Sequence, residues 1–438
     1  MERRVFIETY GCQMNEADSE LMFGLLRHRG WSVAPSADDA DVVLLNTCAV
    51  RERAEERVFG RLGWLKSLKD RRPEVVLGVA GCMAERMRGQ IVERAPYVDL
   101  VIGPDAYRRL PDLVDAAQDE DRADALIDVR LDKRETYADA EIDRVPGVSG
   151  WITVQRGCDK FCTFCIVPFV RGRERSLPPD EVVAQARAMA AEGFREVTLL
   201  GQTVSSYYER GHDFADLLSA VHDVEGLHRI RYTSPYPNDF SDRLLERLAA
   251  LPRVGRHIHL PVQSGSTPML RAMKRGYTAE AYRGLIDRVR RILPDFALST
   301  DIIVGYPGET EADFEATLQL MRDVGFDSAF MFRYSEREGT FSARNVADDV
   351  PDEVKRERLQ RLIALQEGIS KVRYGAMVGR TVEVLVQGPS RRDPSRFIGR
   401  TSCFRTTILP EGDFAPGDLV PARVVAATSH TLFGEVTA

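Results

Sequence analysis

The 438-residue chain predicts an α/β protein in three parts: an N-terminal doubly wound α/β domain, a central partial (βα)6 barrel and a small C-terminal β-barrel. Three observations predict it. The chain is about three times the length that one core ordinarily serves. A strand-then-helix alternation runs through the first hundred residues and resumes at Trp151. Beyond residue 377 the pattern changes to short β-like runs punctuated by Gly and Pro.

In the first part, Val5–Tyr10 is a strand candidate and Val42–Asn46 reads as a buried parallel strand. Val75–Ala80 and Val98–Ile102 complete the set, with charged, helix-favouring segments such as Arg51–Lys69 between them. Residues 1–118 are therefore assigned to this domain. Residues 112–143 carry twelve acidic against four basic side chains and no sustained apolar period, so 119–145 is read as an acidic linker. Strand candidates at 151–156, 196–200, 228–233, 257–261, 297–304 and 327–333 give six βα units, too few for a closed eight. An amphipathic helix over 351–374 ends this part, taken as 146–376. In 377–438, Thr381–Val386, Phe404–Leu409, Leu419–Ala426 and Thr431–Val436 read as strands of a small five-stranded barrel.

Apolar residues make up 44% and charged residues 29%, the balance of a soluble globular chain. There is no run of 18 apolar residues to span a membrane. Met1-Glu2-Arg3-Arg4-Val5-Phe6-Ile7 lacks the apolar stretch of a signal peptide, so a cytoplasmic protein with no membrane partner is expected. Sixty basic against 67 acidic residues give −7, which excludes a bulk polyanion binder. Any nucleic-acid site must be local.

Cysteine is the informative residue. Cys158, Cys162 and Cys165 form C-x3-C-x2-C directly after a strand. Zinc is the first competitor, but a structural zinc site closes with four ligands and no fourth Cys or His is nearby in sequence. Three thiolates on one tight loop instead hold three irons of a 4Fe–4S cube and leave the fourth iron open. Cys12, Cys48 and Cys82 each come two residues after a strand candidate, at the sheet edge where such domains bind ligands, so the three can meet at one point. Taken singly they would be buried core thiols. Cys403 is left over.

With this loop at the head of a partial barrel, the sequence resembles the radical S-adenosylmethionine enzymes. Leu199–Gln202, His259–Ser266 and Thr300–Thr310 match as well, at the ends of later strands. The resemblance narrows to the methylthiotransferases through Glu8–Asn15, Asn46–Arg51, Gly81–Met83, Arg171–Ser176 and Phe330–Ser335, and the final sixty residues resemble a TRAM domain, a small β-barrel associated with RNA. The stretch Thr9–Asn15 separates the chain from the branch that modifies ribosomal protein. The resemblance implies two 4Fe–4S clusters, an auxiliary one on Cys12, Cys48 and Cys82 and a radical one on Cys158, Cys162 and Cys165. It also implies S-adenosyl-L-methionine chelated by the open iron and cleaved to a 5′-deoxyadenosyl radical. The implied reaction is methylthiolation of carbon-2 of an isopentenylated adenosine in the anticodon stem-loop of tRNA, with an electron donor and a sulfur source as further partners and a monomer as the working state. That hydrogen is inert to ordinary acids and bases, so the cofactor must carry the hard chemistry. Two alternatives within the enzymes stay open: threonylcarbamoyl-adenosine in tRNA, and an aspartate of a ribosomal protein. Outside them stands an RNA-binding protein with structural clusters, which needs no open iron.

The remaining candidates each have two readings. Gln202, Gln263 and Ser264 suit polar contact with S-adenosylmethionine or hydrogen bonding at strand ends. Phe164 suits adenine or core. Gly305 and Gly308 permit close approach of the adenosyl moiety or a tight turn, while Glu309 lies one residue late for the usual pattern and Asp301 takes its first glycine place. His257 and His259 share a strand face without an evident third ligand, which favours satisfied barrel histidines. Tyr207, Tyr208, Tyr232 and Tyr236 suit core packing, with RNA stacking as the second reading. Arg171 and Arg173 beside the radical loop, and Arg400 and Arg405 in a bunch with Arg391, Arg392 and Arg396, are the candidates for RNA phosphate, with solvation as the competing reading.

Overall fold

The computed structural model describes residues 3–49, 52–119 and 124–437. Val50 and Arg51 of the second cysteine motif, residues 120–123 of the acidic stretch, and residues 1, 2 and 438 lie outside the described residues.

Among the described residues, the N-terminal domain is one wholly parallel sheet. Its strands are β1 (Arg3–Tyr10), β2 (Trp31–Val33), β3 (Val42–Thr47), β4 (Val76–Gly81), β5 (Leu100–Ile102) and β6 (Leu126–Asp128), in the order β2-β1-β3-β4-β5-β6. Helices α1 (Gln13–Arg27), α2 (Glu52–Arg71) and α3 (Cys82–Met87) follow β1, β3 and β4. The continuous apolar run of β3 serves both faces: Val43 and Leu45 enter one core, Val42 and Leu44 the other. The acidic stretch read as a linker is not only a connector, because its Leu126–Asp128 pairs with β5 as the sixth strand. Tyr137 from the same stretch is buried, its hydroxyl donating to Pro104 O at 2.9 Å.

The central part has six parallel strands in two three-stranded sheets. Arg229–Tyr232, Glu196–Leu200 and Ser149–Thr153 form one; His257–His259, Ala297–Val304 and Ser328–Arg333 form the other. Ile230 bridges Val254 where the two meet, and one apolar core runs under both from Ile152 to Leu362. All six strands lie on the predicted segments, and the arc stays open. The predicted terminal helix is Asp352–Gly375.

The C-terminal part is a closed barrel of Thr381–Pro389, Phe397–Thr401, Thr406–Leu409, Thr431–Val436 and Leu419–Ala427, in that order. It docks on the amino-terminal ends of the central strands. Arg229 Nη1 donates to Arg400 O at 2.7 Å, Arg231 Nη2 to Thr401 O at 2.9 Å, and the Arg256 N–H to Ser402 Oγ at 3.2 Å. Phe404 stacks on His257 at 5.6 Å between centroids.

Candidate cysteine-rich active site

Both cysteine triads lie at carboxyl ends of strands. Cys12 caps α1, Cys48 follows β3 and Cys82 opens α3. Gly81 before it has φ +94°, and a Cβ there would lie 2.5 Å from Thr47 O, so only glycine lets the chain turn so close to β3. The loops are stitched to one another. Asn15 Nδ2 donates to Asn46 Oδ1 at 3.1 Å and Thr47 O at 3.2 Å, Asn46 Nδ2 donates to Asn15 O at 2.7 Å, and Thr47 Oγ1 donates to Ala80 O at 2.6 Å. The motif asparagines thus brace the loops that carry the cysteines.

The second triad sits on a clamped loop. Gly157 has φ +78°, and a Cβ there would meet Arg173 O at 2.0 Å. Its N–H donates to Gln202 Oε1 at 2.6 Å, Cys158 N–H to Gly172 O at 3.1 Å, and Thr163 Oγ1 to Ala272 O at 2.9 Å. Burial pushes the Cys165 thiol up to about 12, with charge on Cys162 and Cys158 adding to it, and raises Cys158 and Cys82 as well. A buried thiol held up in this way ionises when a cationic metal takes its proton's place, which the irons of a cluster would do. Among the described residues no three His, Cys, Asp or Glu side chains converge as the ligand set of a single metal ion. The residues around the sulfurs fit a cluster: Thr203 Oγ1 donates to Cys158 Sγ at 3.1 Å, Arg275 Nη1 to Cys162 Sγ at 3.2 Å and Arg171 Nε to Cys82 Sγ at 3.0 Å. Such donors hold thiolate ligands in place and tune a cluster. Arg275 is buried against Tyr236 and Tyr277 and also donates to Pro261 O at 2.7 Å.

Among the other candidates, Gln202 braces the radical loop, as above. Ser264 is fully buried, with its Oγ 3.3 Å from Thr317 Oγ1 and accepting from Ser266 N–H at 3.2 Å. Gln263 has φ +78°, and its backbone bridges the strand Ala297–Val304. Gly305 has φ +69°, and a Cβ there would lie 2.3 Å from Lys355 Cγ, so packing of the terminal helix already requires this glycine. Its N–H donates to Glu309 Oε2 at 2.6 Å, and that buried carboxylate pairs with Arg358 at 2.8 Å. Phe164 packs partly buried against Met269, Met273, Tyr306 and Tyr334. His257 and His259 both meet Ser299 Oγ, at 2.8 and 2.9 Å, the satisfied arrangement. Tyr207, Tyr232 and Tyr236 are core residues, and Tyr208 is exposed.

Two arginines expected at an RNA surface are not there. Arg171 is buried against Asp18 and Cys82, and Arg405 is buried in an ion pair with Asp327. Acidic partners from a neighbouring domain took both inside. Arg173 is exposed beside Asp159, and Arg400 is part-buried over Phe404. Sequence reasoning missed Thr203 and Arg275, which lie 45 and 113 residues from the sulfurs they reach.

Residues 4–103 match the family described as Uncharacterized protein family UPF0004, 152–321 the Radical SAM superfamily and 375–437 the TRAM domain. Among solved structures, the radical S-adenosylmethionine methyltransferase TsrM from Kitasatospora setae covers 75% of this chain and 72% of its own (TM-score 0.55, 16% identity). The cobalamin-dependent S-adenosylmethionine radical enzyme OxsB covers 84% and 56% (TM-score 0.54, 14% identity). These likenesses show the fold. Curated relatives named tRNA-2-methylthio-N(6)-dimethylallyladenosine synthase match end to end. The Porphyromonas gingivalis protein is 46% identical over 99% of this chain and 95% of its own, the Chlorobaculum tepidum protein 47% over 99% and 98%, and the Burkholderia thailandensis protein 44% over 100% and 97%. Two braced cysteine triads, an open six-stranded arc and identity at this level over the whole length place the chain in the family of tRNA-2-methylthio-N(6)-dimethylallyladenosine synthases.

Proposed function

We infer that this chain is a tRNA methylthiotransferase that uses S-adenosylmethionine and two 4Fe–4S clusters to place a methylthio group on carbon-2 of N6-dimethylallyladenosine. The observation that carries this is the end-to-end identity to synthases of that name, on a chain that carries two cysteine triads. When bound, the clusters and S-adenosylmethionine supply one-electron cleavage of a sulfonium and a sulfur that can be methylated. A reductant and a sulfur source come from outside the chain.

The chain's own residues bind, orient and exclude. Cys158, Cys162 and Cys165 hold one cluster and Cys12, Cys48 and Cys82 the other, with Gln202, Thr203, Arg275 and Arg171 fixing the ligands. Met269, Met273, Tyr306 and Tyr334 wall the radical loop with apolar surface that keeps water away. Phe330 and Phe332 face one side of the edge strand Ser328–Arg333 and are 57% and 39% exposed, while Ala329 and Met331 on the other side pack into the core. Phe330 meets His259 edge-on at 5.8 Å. This aromatic strip suits a prenylated base, with stacking for the purine and apolar surface for the five-carbon branch. Burying that branch at about 0.8 kcal/mol per carbon separates modified from unmodified adenosine by roughly two orders of magnitude after discounting for imperfect fit.

The test offers the reduced enzyme isopentenylated tRNA, unmodified tRNA and a ribosomal-protein peptide in competition, with nucleosides and peptide read by mass spectrometry. Isopentenylated tRNA is expected to win. Equal use of both tRNAs, or preference for the peptide, refutes the reading.

A further inference from the structure

Cys165 closes the radical loop, and six residues later Arg171 ends the short helix Val167–Arg171. Its side chain is 3% exposed. Nε donates to Cys82 Sγ at 3.0 Å, and Nη1 lies 2.6 Å from Asp18 Oδ2. The other oxygen of Asp18 accepts from Arg156 Nη1 at 3.1 Å. Asp18 and Cys82 belong to the N-terminal domain, whereas both arginines belong to the barrel. Along the same helix, Ile166 and Val170 share an apolar cluster with Ala49 and Cys82. One short helix therefore has a ligand of one triad just before its start and a sulfur hydrogen-bond donor of the other at its end.

A guanidinium buried only to hold two domains together needs a carboxylate and nothing more. Here the guanidinium hydrogen-bonds a sulfur through Nε and pairs by charge with a carboxylate through Nη1. The planar group holds these two contacts in fixed relation, which a lysine with its single charged nitrogen cannot reproduce in the same geometry. We propose that Arg171 is a positioning residue that fixes the auxiliary cysteine site against the radical loop through Cys82 and Asp18, and so determines how efficiently hydrogen abstraction is followed by sulfur insertion. The kinetic part of this rests on the methylthiolation reading; the structural part does not. A misplacement of about 1 Å between reacting centres costs on the order of a hundredfold, so a fixed separation has a large effect on coupling.

The test uses Arg171→Gln and Arg171→Lys in the full chain. Three quantities are read: iron content, the reduction potential of the auxiliary cluster in a Cys158→Ala/Cys162→Ala/Cys165→Ala background, and the ratio of 5′-deoxyadenosine to methylthiolated nucleoside. In Arg171→Gln, 5′-deoxyadenosine formation is expected to stay within about threefold while the ratio rises about tenfold or more. The auxiliary cluster is expected to become harder to reduce, a tenfold change in its reduced fraction being 59 mV for one electron. Arg171→Lys is expected to restore less than half of the coupling. Loss of about four irons with 5′-deoxyadenosine formation retained also supports the proposal, because Cys82 has then lost its placement. An unchanged ratio and potential in either fully loaded variant overturns it. So does loss of both clusters, which would make Arg171 a general folding residue. If the parent chain cleaves S-adenosylmethionine but never methylthiolates tRNA, the functional reading fails, and iron content and potential alone decide the role of Arg171.

Discussion

The two cysteine triads sit beside residues that make their positions possible or hold their loops in place. Gly81 and Gly157 place backbone where a side chain would collide, and Asn15 and Asn46 lace two loops together. Replacing Cys158, Cys162 or Cys165 by Ala is expected to abolish 5′-deoxyadenosine formation. Replacing Cys12, Cys48 and Cys82 together is expected to remove about four irons and stop methylthio transfer while cleavage continues uncoupled. Iron analysis and chromatography of the products check both, and undiminished transfer in the second variant would refute sulfur handover at that triad. The two triads were legible as candidates because their close spacing, or their shared place after a strand, is a pattern the sequence itself displays. Thr203 and Arg275 were not, since nothing local marks a donor whose acceptor is 45 or 113 residues away. Arg171 and Arg405 were misread because arginine is exposed by default, and only the fold shows that Asp18 and Asp327 wait inside.

The long buried strands announced themselves by apolar runs or alternation. Those missed were short: β2 and β6 have three residues each, and Phe397–Thr401 lies among arginines. In β6 the pairing with β5, not its own composition, makes the strand. Helix α3 carries a testable consequence of burial. Glu85, three residues after Cys82, has a fully buried side chain, and a Cβ on Gly103 would lie 2.1 Å from its Oε2. Burial raises its carboxyl from the ordinary 4.5 to about 8, against the opposing charge of Arg88. The folded chain thus keeps a proton that the unfolded chain loses, so the stability this group contributes is full below 4.5 and is lost as pH rises to about 8. Within that window the slope is at most about 1.4 kcal/mol per pH unit. Anaerobic denaturant titrations at pH 6 and 8 are expected to show stability falling with pH, and Glu85→Gln is expected to flatten the difference. An equal slope in the variant would assign it to another group.

Across the whole molecule, the C-terminal barrel is held by buried charge and by one histidine. Desolvation, helped by charge on His259 and Arg231, lowers His257 from the ordinary 6.5 to about 3 while its ring stacks on Phe404. The unfolded chain takes up a proton below 6.5 that the folded, docked chain refuses, so the stability this group contributes is full above 6.5 and is lost as pH falls toward 3. Loss of the Phe404 contact and its share of the burial makes undocking part of that loss. Limited proteolysis at pH 5 and 7.5 is expected to release the barrel faster at pH 5, and His257→Asn is expected to remove most of that difference. No difference in the parent chain would refute the role of His257. The docking site itself has a further consequence. The small barrel sits at the amino ends of the central strands and the Cys158–Cys165 loop beyond the carboxyl end of the first, so on the proposed reading an RNA that reaches both spans the height of the wall between them. Six residues of strand rise about 20 Å, well beyond what two stacked base pairs of a stem can span. Reversing the exposed pair Arg391 and Arg392 to glutamate is therefore expected to weaken binding of a full anticodon stem-loop, with a shallower salt dependence, yet leave a hairpin with a two-pair stem unaffected. On the proposed reading the modified base marks one end of that distance, and an RNA too short to reach the barrel cannot register a defect there.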